Sequence, residues 1–447
     1  MKKFNVGALG LLAGGAVLAI APIAHAATVD CTNATLVPHP VYIAGASEAK
    51  AYLQQLAGAL GTSISLIYAS PTACVGLSDV ATPSQTEPGA GFSYITPAGT
   101  LETCTAGANP YPAINVDIGV SGVFPSTCIT PQLPNPLPST LKDFHTSTVV
   151  QPEEIVVPYS LTAPTFSISA EAAYVVFGFG AQTYTVGPWT ATTDIWTRGV
   201  TAGAQLIVGQ AIGLSGSKWL SGVGAEAGAA QIANSASALS TDIITSSDPA
   251  ATIGILGSGT VDPLKSATGG LMPLAFQAID QKCGYYPDSQ LSTFDKINVR
   301  QGRYAIWGPE HFLTNVDSNG NPIANPQAAS NPIQSASADV KKVIGLMTHD
   351  SSVVTLTSTP SLQTLIQAEA AAYFVPDCAM QVMRTSEIGP EASYQPPIGC
   401  GCFYENQPHG GAGSLSSYCA TCTAATVKTD CNDPNYPVCN FGYCEAQ

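Results

Sequence analysis

Apolar and polar positions follow a repeated order along this chain: a short apolar or β-branched run, a turn of small residues, then an amphipathic helix. Val41–Ala44 runs into Gly45-Ala46-Ser47, and helical spacing of apolar residues follows at once through Leu60. Ile64–Tyr68 breaks at Ser70-Pro71-Thr72 before a predicted helix over Ala73–Val80. Asn115–Phe124 reads as a buried strand ending in a small-residue turn, and Ile155–Val157 with Pro158 as an extended stretch. Ser169 caps a helix over Ala170–Phe179, with Glu171 favourable in its first turn. Asp194–Thr197 enters the turn Arg198–Gly203, after which Ala204–Leu214 is helical. Ile253–Leu256 is a strand closed by Gly257-Ser258-Gly259. Such alternation predicts parallel sheets covered by helices.

Beyond these units, Asn315–Ser337 is rich in Asn, Pro, Ser and Ala and reads as an exposed excursion into a helix from Ala338. A last helix is expected over about Leu362–Phe374, stopping at Pro376. At the other end, Lys2 and Lys3, the apolar run Val6–Ile20 and Ala24-His25-Ala26 have the form of a secretory signal cut after Ala26. No later segment has the uninterrupted apolar length to cross a bilayer.

Charge narrows the partners. Without Lys2 and Lys3, 13 basic side chains face 30 acidic ones, a formal charge of −17, which argues against nucleic acid and anionic membranes. The chain has four arginines, Arg198, Arg300, Arg303 and Arg384, so one placed at a turn before a helix stands out. All thirteen cysteines follow the expected cleavage point, as in an oxidising compartment. Six lie in the body (Cys31, Cys74, Cys104, Cys128, Cys283, Cys378) and seven near the end (Cys400, Cys402, Cys419, Cys422, Cys431, Cys439, Cys444). An odd total leaves at least one thiol free or paired with another chain, and spacing does not settle the connectivity. The closing segment predicts a small disulfide knot.

The turns at Gly45 and Arg198 each place unpaired helix amides after a strand, the simplest anion-binding device. Other chemistry is weakly marked. The histidines show no two at metal-ligand spacing; His409 beside Cys400, Cys402, Cys419 and Cys422 leaves a zinc knuckle open against oxidised cysteines. Asp143 beside His145 is a common surface pairing, and Glu153, Glu154 and Asp377 read as solvated or capping residues. No Gly-x-Ser-x-Gly elbow and no complete Gly-x-Gly-x-x-Gly fingerprint is present, so neither catalysis nor a cofactor is indicated.

Four segments taken in order, GAS at 45–47, YASPTACVG at 68–76, RGVTAGAQ at 198–205 and INVRQGRYAIWGPEHF at 297–312, resemble motifs of the periplasmic phosphate-binding proteins of ABC transporters. The resemblance spans roughly residues 38–390. It implies an α/β fold of two lobes with mixed sheets flanked by helices, joined by crossings near Val150–Pro158 and Tyr304–Pro309, plus the disulfide-rich appendage. The implied division is 27–153 and 305–396 for lobe one, 154–304 for lobe two and 397–447 for the tail. It further implies a non-enzymatic receptor, periplasmic or secreted, that closes on a small solute such as phosphate or another oxyanion and delivers it to an ABC permease.

By the same resemblance the ligand positions are Ala46, Ser47, Ala73, Ser121, Gly122, Arg198, Thr201, Ala202, Gly203 and Ala204. Several depart from the family pattern: hydroxyl-bearing positions are Ala46, Ala73, Ala202 and Ala204, and the family's aspartate is Gly122. Each hydroxyl bonded to a charged group contributes about 1.5–3 kcal/mol, so tight phosphate capture is not expected. Two readings stand: a receptor for another small solute, or a receptor fold turned into a secreted or surface interaction protein. An exported hydrolase ranks third.

Overall fold

The computed structural model describes residues 28–82, 91–105, 114–128, 133–160, 166–179, 185–214, 218–219, 231–232, 235–265, 269–328, 331–408 and 416–446. The expected signal segment 1–26 and His409 lie outside the described residues.

Strands β1 (Thr28–Asp30), β2 (Pro40–Gly45), β3 (Ser65–Ala69), β4 (Ser93–Ile95), β5 (Leu101–Thr105), β6 (Ile118–Ser121) and β7 (Leu141–Phe144) precede a long strand, β8 (Val150–Pro158). Later come β9 (Gly254–Gly257), β10 (Leu271–Pro273), β11 (Trp307–Pro309) and β12 (His311–Asn315). The helices that matter here are α1 (Lys50–Leu60), α2 (Ala73–Ala81), α3 (Ala170–Phe179), α4 (Gly203–Ile212), α5 (Ala236–Ile244), α6 (Ser337–Met347) and α7 (Leu362–Ala371).

An eight-stranded sheet runs in the order β1-β5-β4-β3-β2-β6-β12-β7. At its centre β2 pairs parallel to both β3 and β6, whereas β12 lies antiparallel between β6 and β7. Strands β2, β3, β6 and β12 are buried at every position. That explains their near-continuous apolar runs, because helices cover both faces of such strands. Helix α2 packs so closely on β2 that a Cβ on Gly76 would fall 2.3 Å from the Cα of Gly45. Gly45 itself has φ +152° and leaves no room for a side chain beside the Val120 carbonyl.

A second sheet is built on β8. Its first residues, Val150–Pro152, pair with β11, and its later residues pair with β9 and β10. Every pairing is antiparallel, so the parallel order expected from strand–helix alternation fails in this sheet. The reason is that β8 is central: β9 and β10 flank it on both edges at Val156 and β11 pairs with its start, each running against it. Helices α4 and α5 pack against it. The fold is therefore mixed α/β with its sheets flanked by helices. Among the described residues no helix is long and apolar enough to cross a membrane.

The Asn-rich excursion is a docked segment, not the exposed one expected. Asp117, fully buried, accepts from the amides of Tyr42 and Asn325 and from the Ser335 hydroxyl, and Asn331 bonds Asn115. Polar residues there satisfy a buried carboxylate that apolar contacts could not.

Six disulfides form: Cys31–Cys104, Cys74–Cys128, Cys378–Cys400, Cys402–Cys419, Cys422–Cys439 and Cys431–Cys444. Cys283 is the unpaired, exposed thiol. With Cys400, Cys402, Cys419 and Cys422 all oxidised, the cysteines of the zinc-knuckle alternative are not available as ligands. The terminal knot docks on the body through Cys378–Cys400 and through Arg300, whose Nη1 donates to Glu405 Oε1 at 2.6 Å.

Candidate functional site

Strand β2 ends at Gly45, and the chain makes one 3-10 turn, Ser47–Ala49, before α1 begins at Lys50. The expected direct entry into a helix is thus displaced by one turn. The Ala46 amide is already engaged by the Val120 carbonyl at 2.9 Å, and the Tyr68 hydroxyl donates to the Ala46 carbonyl. The first amide of the turn is therefore already taken by the protein's own backbone.

Arg198 follows the strand pair Trp196–Thr197 and is 2% exposed. Its Nη1 donates to Glu48 Oε1 at 2.9 Å and its Nη2 to Ser47 Oγ at 3.3 Å. Ser47 in turn donates to Glu48 Oε2 at 3.2 Å. Glu48 is 6% exposed, so the guanidinium and the carboxylate meet out of solvent, with the half-buried Ser47 hydroxyl at their edge. In such surroundings their attraction is far less screened than at a surface.

The remaining predicted positions gather nearby but face inward on protein. The Thr201 carbonyl accepts from the Cys74 amide at 3.3 Å, and its hydroxyl accepts from Thr72 at 3.1 Å. Thr72 also caps α2 through the Val75 amide. Across the gap, a Cβ on Gly203 would sit 3.4 Å from the Ala73 methyl and 3.8 Å from the Gly122 nitrogen. The starts of α2 and α4 therefore touch through small residues, with Ala202 and Ala204 buried beside them. Ser121 is turned back into its own loop, donating to the Val123 carbonyl at 2.8 Å and accepting from the Val123 amide.

Sequence reasoning missed the acids around this point. Glu153 and Glu154 are 4% and 1% exposed, a correction to their reading as solvated or capping residues. Neighbours in a strand point to opposite faces. Glu153 accordingly interacts with Glu48, Glu310 and Arg198, while Glu154 interacts with the buried quartet Lys265, Lys296, Asp262 and Asp288. In that quartet each lysine contacts both aspartates, and Lys265 Nζ lies 2.7 Å from Asp288. The period-2 position of Glu153 in β8 is the signal in the sequence that marks it as inward-facing.

Glu310 is fully buried at the link between β11 and β12. Burial, then the neighbouring Glu48 carboxylate, push its carboxyl up to about 8. Burial, then Glu48 and Glu310, hold Glu153 well above the usual carboxylate range, against the pull of Arg198. Both carboxylate oxygens of Glu310, Glu153 Oε2, both side-chain polar atoms of Gln151 and Arg198 Nε have no hydrogen-bond partner among the described residues. Gln151 and Glu48 lie side by side over Gly257, where a Cβ would come within 1.9 Å of Gln151 Nε2. The site thus gathers the carboxyl groups of Glu48, Glu153 and Glu310 around one guanidinium whose Nη atoms are already matched.

Asp377, also read as solvated or capping, is buried and bonded to His349 Nδ1 at 3.0 Å, with Glu369 on the other ring nitrogen at 2.8 Å.

No protein-family model matches the chain, and no curated protein matches it. Solved structures do. One is described as a phosphate ABC transporter substrate-binding protein with bound phosphate, from Clostridium perfringens. It is 9% identical, with 75% of this chain and 99% of that one covered and a TM-score of 0.45. A DING protein is 11% identical over 75% of this chain and 90% of its own, at a TM-score of 0.43. An ancestral soluble variant of the human phosphate binding protein is 12% identical over the same shares, at 0.41.

Proposed function

We propose that this chain is an exported, non-enzymatic solute-binding protein whose two lobes, 27–153 with 305–396 and 154–304, close on a donor-rich solute, cationic or polyhydroxylic, for an ABC importer. The carrying observation is the buried Arg198–Glu48 pair, 2.9 Å apart, beside the unpartnered acceptors of Glu153 and Glu310. An oxyanion entering there would meet a neutralised guanidinium and three acids. A ligand bearing N–H or O–H groups would satisfy acceptors that otherwise cost free energy by their burial. The antiparallel pair of β8 and β11 supports a hinge between the lobes.

A thermal-shift panel of phosphate, sulfate, molybdate, neutral sugars, basic amino acids and polyamines tests this. A ligand at 100 times its dissociation constant adds about 2.7 kcal/mol of stability. Stabilisation by a sugar, basic amino acid or polyamine, with none by the oxyanions, is the expected result. Stabilisation by phosphate alone overturns the ligand class.

The tail favours a second reading, a secreted or surface interaction protein. The described residues beyond Pro396 form a disulfide knot fixed to the body by Arg300–Glu405 and Cys378–Cys400, which a receptor that only hands a solute to a permease does not need. A panel without any stabilising solute would favour it.

A further inference from the structure

His145 follows directly on the end of β7, and His311 opens β12. Antiparallel pairing sets Leu313 opposite Asp143 and Phe312 opposite Phe144, which brings His311 beside that turn. The pairing read from sequence as Asp143 with His145 is therefore a group of three. Asp143 Oδ2 lies 2.8 Å from His311 Nδ1 and 3.0 Å from His145 Nδ1. One donor atom from each residue lies within 4.8 Å of the other two. Phe124 packs on both imidazoles, its ring centroid 4.2 Å from that of His311 and 5.2 Å from that of His145.

Two further observations point to a ligand. Asp143 Oδ1 and His145 Nδ1 are buried without a hydrogen-bond partner among the described residues, and His311 beside them is fully buried. Asp143 and His145 also line a cavity of about 470 Å³, so an ion here would keep room for solvent on one side. The cavity's lysines are turned to partners of their own: Lys142 lies over the Phe144 ring, and Lys341 donates to Asn321 Oδ1.

We propose that Asp143, His145 and His311 bind a divalent transition-metal ion of the zinc class. Two imidazoles and one carboxylate are a three-ligand set that zinc accepts with a fourth position open, here toward the cavity. Without the ion, His311 Nδ1 is hydrogen-bonded to Asp143 Oδ2 with His145 Nδ1 close by; a metal bound at the two Nδ1 atoms takes that place, and each neutral imidazole then carries its one proton on Nε2. The site shares no residue with the acid-rich centre at Arg198, although His311 follows Glu310 in the chain, and its test does not depend on the solute.

The test uses the full oxidised chain carrying Cys283→Ser, so that the exposed thiol takes no metal. After treatment with a chelator, Zn²⁺ is titrated by calorimetry and Co²⁺ by visible absorption. Uptake of one equivalent is expected, with a Co²⁺ spectrum of nitrogen and oxygen ligation. His145→Gln, at a part-exposed position, should weaken Zn²⁺ binding by more than the ~10–100-fold that loss of an outer partner costs. Asp143→Asn should do the same, and His39→Gln should leave binding unchanged. No uptake by the parent protein, or equal affinity in His145→Gln, overturns the proposal.

Discussion

Arg198 donates to Glu48 at 2.9 Å across 150 residues of chain, and neither side chain reaches solvent. The charge that would attract an external anion is held by the protein's own carboxylate. Breaking a buried ion pair from one side costs about 3–5 kcal/mol, because the other charge is left without compensation. Glu48→Ala should lower stability by that order in urea unfolding. Added sulfate or phosphate should then restore part of the loss, while the parent protein shows no such response.

Glu310 makes acid stability part of the same site. Its carboxyl is held up to about 8 in the folded chain and returns to about 4.3 when unfolded. The folded state therefore keeps a proton that the unfolded state releases between those values. Its contribution is complete below about pH 4.3 and is lost as pH rises to about 8. Urea midpoints measured at about pH 5 and pH 8 should fall across that interval. Glu310→Gln should flatten the fall, and an unchanged slope would remove Glu310 as its source.

His349 acts in a higher window. Burial favours the neutral ring, yet Glu369 and Asp377 outweigh it and raise the imidazole to about 10. The unfolded value is about 6.5, so its contribution is complete below that pH and disappears as pH rises toward 10. His349→Gln leaves two buried carboxyls without their cation and should cost about 3–5 kcal/mol near neutrality. The variant and the parent should converge in stability on the alkaline side, as read by thermal unfolding against pH.

Glu405 ties the tail down through Arg300, at side-chain exposures of 0% and 2%. Glu405→Leu should release residues 397–447 to limited proteolysis. Fragments should stay attached until reduction, because Cys378–Cys400 persists. Equal protease resistance in variant and parent would show that the disulfide alone fixes the knot.

What could be read from sequence were the signals contained in one stretch of chain. Ser169 and the apolar spacing after it specify α3, and the Ser169 hydroxyl does accept from the Ala172 amide. The runs at Val41 and Ile64 become β2 and β3 for the same reason. Burial set by distant partners was not readable. Glu153 and Asp377 look like surface acids in sequence, and only the return of Glu310 and the approach of His349 show them as interior groups. The Arg198 turn was legible as a place where charge matters. Its partner Glu48 was overlooked because an acid in a first helical turn already has an ordinary explanation.

The six cross-links have a mechanical consequence. None touches residues 154–304, whose single cysteine, Cys283, is unbonded. Oxidation therefore rivets the flanking segments and leaves the middle held by reversible forces alone. Its ties to the rest are non-covalent contacts such as Arg198–Glu48, so reduction of every cross-link would leave those ties chemically unchanged.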